Sequence, residues 1–281
     1  MSKRWSVQDG FLQQRINLQP RLERDSFKCV DGIYDYKVEE GTLIVDFAGR
    51  HIGGGCFSKI GFVQEEQMVA QSMDFAARIK LHMGTDPKNR ETIAEHEAVS
   101  YEGIYMDAWW DRDECAKKGN LDLNRIVHQQ SAPLTIFAVN APHMGRRQRY
   151  DQSHLHMLAK KVTLIYAVAS HLKAPLICSG LLGGGAFSGN RPLVLLLHLL
   201  LHDGSQPVRF YHPVFWSFSG EEVATVEELQ SRIKSFADAM LEKLWERRVE
   251  TLDKALEVIL ASELPLGHND SDLKCKPHLC I

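Results

Sequence analysis

The sequence lacks the features that define several large classes of protein. Its 281 residues contain only six scattered cysteines, and a chain of this length does not need disulfide staples, so we expect reduced thiols. The formal net charge of -3 provides no basic field for duplex nucleic acid. Residues 1–13 contain no apolar run of the kind found in a Sec signal peptide. These absences predict a cytoplasmic or nuclear protein that does not bind duplex nucleic acid.

Long apolar runs and the common nucleotide and metal motifs are also missing. The most apolar stretch, residues 193–201, is about half as long as a membrane span requires, so it predicts a buried helix and no membrane partner. The phosphate-binding patterns GxxxxGK[ST] and GxGxxG do not occur, which argues against the standard nucleotide-binding enzymes. Neither HExxH nor paired-cysteine spacing occurs, so no metal and no cofactor is predicted. No particular oligomeric state is indicated.

Strand-like apolar runs alternate with amphipathic helical patterns along the chain. Strands are predicted at residues 42–47, 101–108, 134–139, 176–178 and 208–215. Helices are predicted from residue 64 to about 83, at 155–171, at 192–202 and over 223–260. This alternation predicts an α/β fold whose largely parallel or mixed sheet is covered on both faces. We expect an N-terminal extension packed on the core (1–40), a main domain (41–262) and a polar tail (263–281).

A glycine run followed by an acidic pair forms the first candidate site. Gly53, Gly54 and Gly55 follow a predicted strand, and Glu65 and Glu66 stand at the predicted start of a helix. Consecutive glycines let the backbone approach a ligand closely, and their N–H groups can cradle a phosphate. Carboxyl groups can supply the proton and the charge stabilisation that cleavage of a glycosidic bond requires. The alternative interpretation is an ordinary turn followed by a helix-capping acidic pair.

A second glycine-rich segment follows a later strand. Residues 175–190 read PLICSGLLGGGAFSGN, and Pro192 then opens a helix. A glycine loop that leads into the N-terminus of a helix is suited to binding phosphate. The aromatic residue of this segment, Phe187, could contact a ligand or pack in the core.

Taken together, these motifs resemble the signature of the poly(ADP-ribose) glycohydrolases. GGG, eight residues and then QEE match that signature, as do the preceding VDFA and His51-Ile52. The second loop also matches, so the resemblance runs from residue 41 to about 202. It implies a macrodomain-like three-layer α/β/α sandwich with a mixed sheet, an N-terminal extension and C-terminal helices.

The resemblance also implies roles for individual residues. Glu66 would be the catalytic acid/base, Glu65 would hold ribose hydroxyls, and Asp46 matches a strand aspartate that is important in the family. The family places a ligand-covering tyrosine near Tyr101 and Tyr105, although alternate tyrosines can also form one packed face. The implied ligand contacts are Gly53, Gly54, Gly55, Gln64, Gly183, Gly184, Gly185, Ala186, Phe187 and Tyr105.

The expected function is therefore an ADP-ribosyl hydrolase acting on ADP-ribosylated protein or poly(ADP-ribose). A reader that binds ADP-ribose without turnover is the alternative, and the presence of Glu66 favours the enzyme. The chain departs from the family at Gly49, where many members have a ribose-contacting Asn. This departure and an acidic segment suggest arginine-linked mono-ADP-ribose as the substrate. Asp107, Asp111 or Asp113 would hold the departing guanidinium, unless the segment is simply a solvated loop.

Overall fold

The computed structural model describes residues 2–7, 10–16, 18, 26–31, 34, 36–56, 64–84, 86, 89–109, 126–142, 150–183, 189–212 and 226–262. The strands are β1 (Ser2–Ser6), β2 (Phe27–Asp31), β3 (Leu43–Asp46), β4 (Glu97–Ile104), β5 (Ala108–Trp109), β6 (Val127–His128), β7 (Leu134–Val139), β8 (Ile177–Gly180) and β9 (Val208–His212). The helices are α1 (Gln64–Gln71), α2 (Met73–Met83), α3 (Gln152–Leu172), α4 (Arg191–Leu201), α5 (Val226–Glu246) and α6 (Leu252–Leu260).

Seven strands form one mixed sheet in the order β1-β4-β7-β3-β8-β9-β2, and β5 pairs with β6 in a separate ribbon. Strand β4 is antiparallel to both β1 and β7, whereas the other neighbours are parallel. The carboxyl ends of β7, β3, β8 and β9 therefore lie along the same edge of the sheet. In open α/β folds this is the edge where ligands bind.

Apolar side chains fill a core on each face of the sheet. Successive residues of β3 alternate between the faces: Leu43 and Val45 contribute to one core, and Ile44 contributes to the other. The first core contains residues from α3, α4, α5 and α6, while α1 and α2 cover the second. This alternation follows from the twofold period of a strand. The expected three-layer α/β/α sandwich with C-terminal helices is confirmed.

Two helical segments that look continuous in the sequence are divided. Ser72 separates α1 from α2 because it is extended (φ -134°). Its hydroxyl accepts the Phe75 N–H (3.0 Å) and donates to the Tyr105 carbonyl (2.6 Å). A serine that satisfies an orphan N–H in this way favours a new helix start over continuation. The long C-terminal segment is likewise divided between α5 and α6, where Arg248 has a φ of 52°.

The N-terminal segment contributes more to the sheet than expected. It was predicted to pack on the core, but β1 and β2 form the two edge strands of the seven-stranded sheet. A boundary at residue 40 therefore does not separate the segment from the sheet. Strand β1 reads SKRWS and is largely exposed, so it lacks the apolar alternation that identifies a strand in sequence. The predicted tail, 263–281, lies outside the described residues.

The most apolar stretch forms a buried helix, as predicted. Leu193, Leu196 and Leu200 on α4 are fully buried. None of the helices that the structure describes is long and apolar enough to cross a membrane.

Candidate functional site

The candidate site lies where β3 ends and α1 begins. Asp46 is the last residue of β3, and Gln64, Glu65 and Glu66 form the first turn of α1. The Gln64 Oε1 accepts the Phe47 N–H (3.0 Å), and its Nε2 donates to the Val45 carbonyl (3.2 Å). These bonds attach the start of α1 to the end of β3 at the carboxyl edge of the sheet.

Backbone N–H groups hold both glutamates. The two oxygens of Glu65 accept the N–H groups of Gly53 (2.6 Å) and Gly49 (3.2 Å). Glu66 Oε1 accepts the Gly55 N–H (2.7 Å). The Gly54 N–H donates to the His51 carbonyl (3.2 Å). Every amide of the glycine run thus has a partner inside the protein. The run orients the carboxylates here, whereas the residues alone suggested a phosphate cradle.

The conformation of Gly54 explains why this position must be glycine. Its φ is +47°, in the left-handed region that side chains disfavour. A Cβ there would lie 2.4 Å from Glu66 Oε1 and 2.6 Å from Glu65 Oε2. Both carboxylates therefore occupy the space that any side chain at residue 54 would need.

Three carboxyl groups share a dry environment. Asp46, Glu65 and Glu66 are 0%, 3% and 7% exposed. Neither Asp46 oxygen has a hydrogen-bond partner within the part of the chain that the structure describes. Burial raises the pKa of Asp46 well above its usual range, and the charges of Glu65 and Glu66 raise it further. Burial also raises the pKa of Glu65, although its bonds to Gly49 and Gly53 act in the opposite direction. The neutral acid is therefore the favoured form of Asp46.

A segment distant in sequence covers the glycine run. The Ile52 N–H donates to the Glu91 carbonyl (3.0 Å), and the Ile93 N–H donates to the Arg50 carbonyl (2.9 Å). The Arg90 guanidinium donates a hydrogen bond to the Gly54 carbonyl. Sequence reasoning missed Arg90 because it stands outside any motif and reaches the site only through this long-range pairing.

The two ends of the second glycine loop meet after β8, at the same edge of the sheet. The Gly189 N–H donates to the Gly183 carbonyl (2.7 Å), and a Cβ on Gly189 would lie 2.8 Å from that oxygen. Asn190 then caps α4 by accepting the Leu193 N–H (2.9 Å). The hydrogen bond between Gly189 and Gly183 forms the neck of this loop, and the neck lies directly before the N-terminus of α4. The remaining predicted contacts of this loop lie outside the described residues, namely Gly184, Gly185, Ala186 and Phe187.

Tyr105 and Asp107 lie away from the glutamates. Asp46 pairs with Ala138, which pairs with Val99 on antiparallel β4. Tyr105 lies six residues beyond Val99, a distance of about 20 Å along an extended chain. The carboxylate of Asp107 accepts the Met73 N–H (2.8 Å) at the start of α2.

The direction of β4 thus carries both residues to the opposite edge of the sheet, which argues against their predicted contacts with ligand. Asp111 and Asp113 lie outside the described residues. Tyr101 is fully buried, and its hydroxyl donates to Glu91 Oε2 (2.6 Å). Among the described residues, no group of three or more His, Cys, Asp or Glu is placed to hold a metal ion.

Comparison with known proteins agrees with the resemblance seen in the motifs. Residues 22–212 match the family described as "Poly (ADP-ribose) glycohydrolase (PARG), Macro domain fold". The chain belongs to this family. It is therefore a glycosidase-type hydrolase of ADP-ribosyl bonds. No curated protein matched the sequence.

Solved structures of bacterial glycohydrolases are similar to this chain. Poly(ADP-ribose) glycohydrolase from Thermomonospora curvata aligns with a TM-score of 0.50 and 15% identity over 85% of each chain. A structure of that enzyme bound to the inhibitor ADP-HPD gives a TM-score of 0.48 and 19% identity, over 72% of this chain and 71% of that one. The enzyme from Deinococcus radiodurans in complex with ADP-ribose aligns with a TM-score of 0.47 and 15% identity, over 86% of this chain and 95% of that one. The first alignment supports the shared fold.

Replacing Gly54 with alanine should inactivate the enzyme. The new Cβ would overlap the positions of both carboxylates, and a misplacement of about 1 Å can lower a rate about 100-fold. The measurement is the kcat for release of ADP-ribose. Gly10→Ala is the matched control, since Gly10 also has a positive φ (85°) but nothing within 4 Å of its Cβ position. Equal activity of the two variants would mean that the carboxylates need not stay where the glycine holds them.

Asp46 and Glu65, whose pKa values are raised by burial, should make the protein less stable as the pH rises. A carboxyl whose pKa is raised by folding binds more protons in the folded state, so stability falls above the pKa of about 4 that it has when unfolded. Asp46→Asn should therefore gain stability relative to wild type at pH 8 and differ little at pH 4. Urea denaturation at both pH values measures this, with exposed Asp74→Asn as the control. A constant difference between Asp46→Asn and wild type would contradict it.

Proposed function

We propose that this protein binds ADP-ribose and releases it from ADP-ribosylated protein or from poly(ADP-ribose) by carboxylate acid/base catalysis. The observation that carries the proposal is the buried pair Glu65 and Glu66, oriented by glycine N–H groups at the ligand-binding edge of the sheet. Solved relatives bind ADP-ribose or the inhibitor ADP-HPD, which supports ADP-ribose as the ligand. The same proposal puts the activity in the cytoplasm or nucleus, because scattered cysteines suit a reducing compartment.

Hydrolysis requires a proton for the departing group and an activated water for the sugar carbon. We assign the proton transfer to Glu66, as the family resemblance implies. Both oxygens of Glu65 accept backbone N–H groups, so this carboxylate has a fixed orientation that suits positioning of a ribose hydroxyl. The adjacent glutamates would then divide the two tasks between them.

The second glycine loop is the proposed diphosphate site. Its neck, where Gly189 donates to Gly183, lies directly before the capped N-terminus of α4. A helix N-terminus favours an anion through its exposed N–H groups and its dipole. The loop after β8 and the carboxylates after β3 stand on adjacent parallel strands, so one extended ligand could reach both.

The substrate that we favour is protein carrying single ADP-ribose units. Gly49 stands where many polymer-cleaving members have a ribose-contacting Asn, and nothing lies within 4 Å of its Cβ position. The finer hypothesis of an arginine linkage has weaker support, because the Asp107 carboxylate caps α2 at the far edge of the sheet. The arginine hypothesis therefore requires that Asp111 or Asp113 hold the departing guanidinium.

Glu66→Gln should abolish release of ADP-ribose while leaving ADP-ribose binding intact. The amide keeps the size and polarity of the side chain but cannot transfer the proton. Product release is measured by chromatography and binding by calorimetry. Glu257→Gln, on an exposed part of α6, is the control and should behave like wild type.

Two outcomes would revise this assignment. A loss of only tens-fold in Glu66→Gln, with a complete loss in Glu65→Gln, would make Glu65 the acid/base. A wild-type protein that binds ADP-ribose but releases none from any substrate would be a reader, and the proposed hydrolase function would fail.

The wild type should act faster on mono-ADP-ribosylated protein than on polymer. Gly49→Asn should shift the ratio of the two rates towards polymer, because the open space at residue 49 admits an amide that can contact a ribose. The assay compares polymer with arginine-linked and glutamate-linked mono-ADP-ribosyl protein. Gly49→Ala separates the loss of glycine from the gain of the amide. A wild type that prefers polymer would identify a polymer glycohydrolase instead.

A further inference from the structure

The side chain of Arg90 contacts the turn that orients both glutamates. The Arg90 guanidinium donates to the carbonyl of Gly54, and the flanking N–H groups of Gly53 and Gly55 donate to Glu65 and Glu66. Because the peptide unit is planar, the Gly54 carbonyl and the Gly55 N–H share one plane, so a hydrogen bond to this carbonyl fixes the direction of the N–H group that Glu66 accepts. Arg90 therefore acts directly on the Gly55 N–H, and it acts on the Gly53 N–H only through the rest of the turn.

We propose that Arg90 is a positioning residue that holds the glycine turn and thereby the orientation of the catalytic carboxylates. The inference deepens the proposed hydrolase function and rests on it. Arg90 would act through the backbone of Gly54 and through its charge, and it would not bind the substrate. Neither the family motif nor any pattern in the sequence assigns it a role.

The position of Arg90 is itself fixed by its neighbour. The Glu91 side chain is only 6% exposed and accepts hydrogen bonds from Tyr101 on β4 (2.6 Å) and from Ser2 on β1 (3.3 Å). Arg4 Nη2 lies 3.4 Å from one of its oxygens, and His82 Nε2 lies 3.3 Å from the other. Contacts from two strands and a helix therefore anchor the backbone from which Arg90 extends. A side chain on such a rigid support can hold the turn accurately.

The charge of Arg90 matters because the other described titratable groups around Glu65 are acidic or uncharged. Within the part of the chain that the structure describes, the titratable groups whose charges act on Glu65, or are acted on by it, are Asp46 on β3, Glu66 on α1, Cys56 in the glycine turn and Arg90. Burial and Glu66 raise the pKa of Glu65, whereas Arg90 lowers it. Removing the guanidinium should therefore raise the pKa of Glu65 further, and the ionised form would appear only at higher pH.

The test compares Arg90→Met and Arg90→Lys with wild type in the chain of 281 residues. Arg90→Met should lower kcat about 10- to 100-fold, leave the affinity for ADP-ribose within about twofold, and shift the rising limb of the pH–rate profile to higher pH. Arg90→Lys keeps the charge and a hydrogen-bond donor. Its pH–rate profile should therefore rise at the same pH as that of wild type, and its kcat should lie between those of Arg90→Met and wild type. Arg247→Met, which removes the same charge from an exposed position, is the control and should match wild type.

Titration of the carboxylates provides a second measurement that does not depend on turnover. Carbon-13 NMR of labelled Glu side chains, with Glu65 assigned from the Glu65→Gln spectrum, should show a higher midpoint for Glu65 in Arg90→Met than in wild type. An inactive wild type would defeat the hydrolase function, while this titration would still decide the role of Arg90.

Four results would overturn the proposal in part or in whole. An unchanged Glu65 midpoint in folded Arg90→Met would remove the electrostatic part, and an unchanged kcat would remove the positioning part. A large loss of ADP-ribose affinity with normal kcat would make Arg90 a direct ligand contact. If the rate of Arg90→Met falls only as much as its folded fraction, and the rising limb of the pH–rate profile does not move, Arg90 is a purely structural residue.

Discussion

The donation of glycine N–H groups to two buried carboxylates is the interaction on which this site depends. Glu65 and Glu66 are nearly inaccessible to water, and a buried charge is costly unless hydrogen bonds stabilise it. The N–H groups of Gly49, Gly53 and Gly55 supply those bonds. Because the acceptors are side chains and the donors are backbone, the shape of the turn determines where the carboxylates point. The site is therefore built from the peptide backbone as much as from its acidic residues.

Further requirements on the chain follow from that interaction. The turn needs a residue without a side chain at Gly54, since the carboxylates fill the adjoining space. It also needs an external support, which comes from the segment around Arg90 and Glu91. Glu91 in turn contacts the N-terminal strand through Ser2 and Arg4. An edge strand with little apolar character is thus connected to the carboxylates through only a few hydrogen bonds.

The sequence predicted those parts of the molecule that local patterns encode. The strand at 134–139 has the predicted bounds, because a short run of apolar residues has few alternatives in an α/β chain. Adjacent residues were also enough to identify the glutamate pair, the glycine run and the family. The break at Ser72 was missed, since one side-chain cap there outweighs a continuous apolar stripe. Tyr105 and Asp107 were predicted at the site because the antiparallel direction of β4 depends on pairing between distant segments, which local patterns do not reveal.

The two edge strands have a consequence for how the chain folds. Ser2 pairs with Tyr101, and Phe27 pairs with Val208, so each N-terminal strand must wait for a partner that is synthesised much later. Closing such long loops before their contacts can form slows folding, and an unpaired strand is exposed to wrong partners in the meantime. Strand β1 is short and carries Lys3 and Arg4, and charges of this kind discourage pairing with other chains. Strands that are synthesised early would thus be among the last elements to join the native sheet.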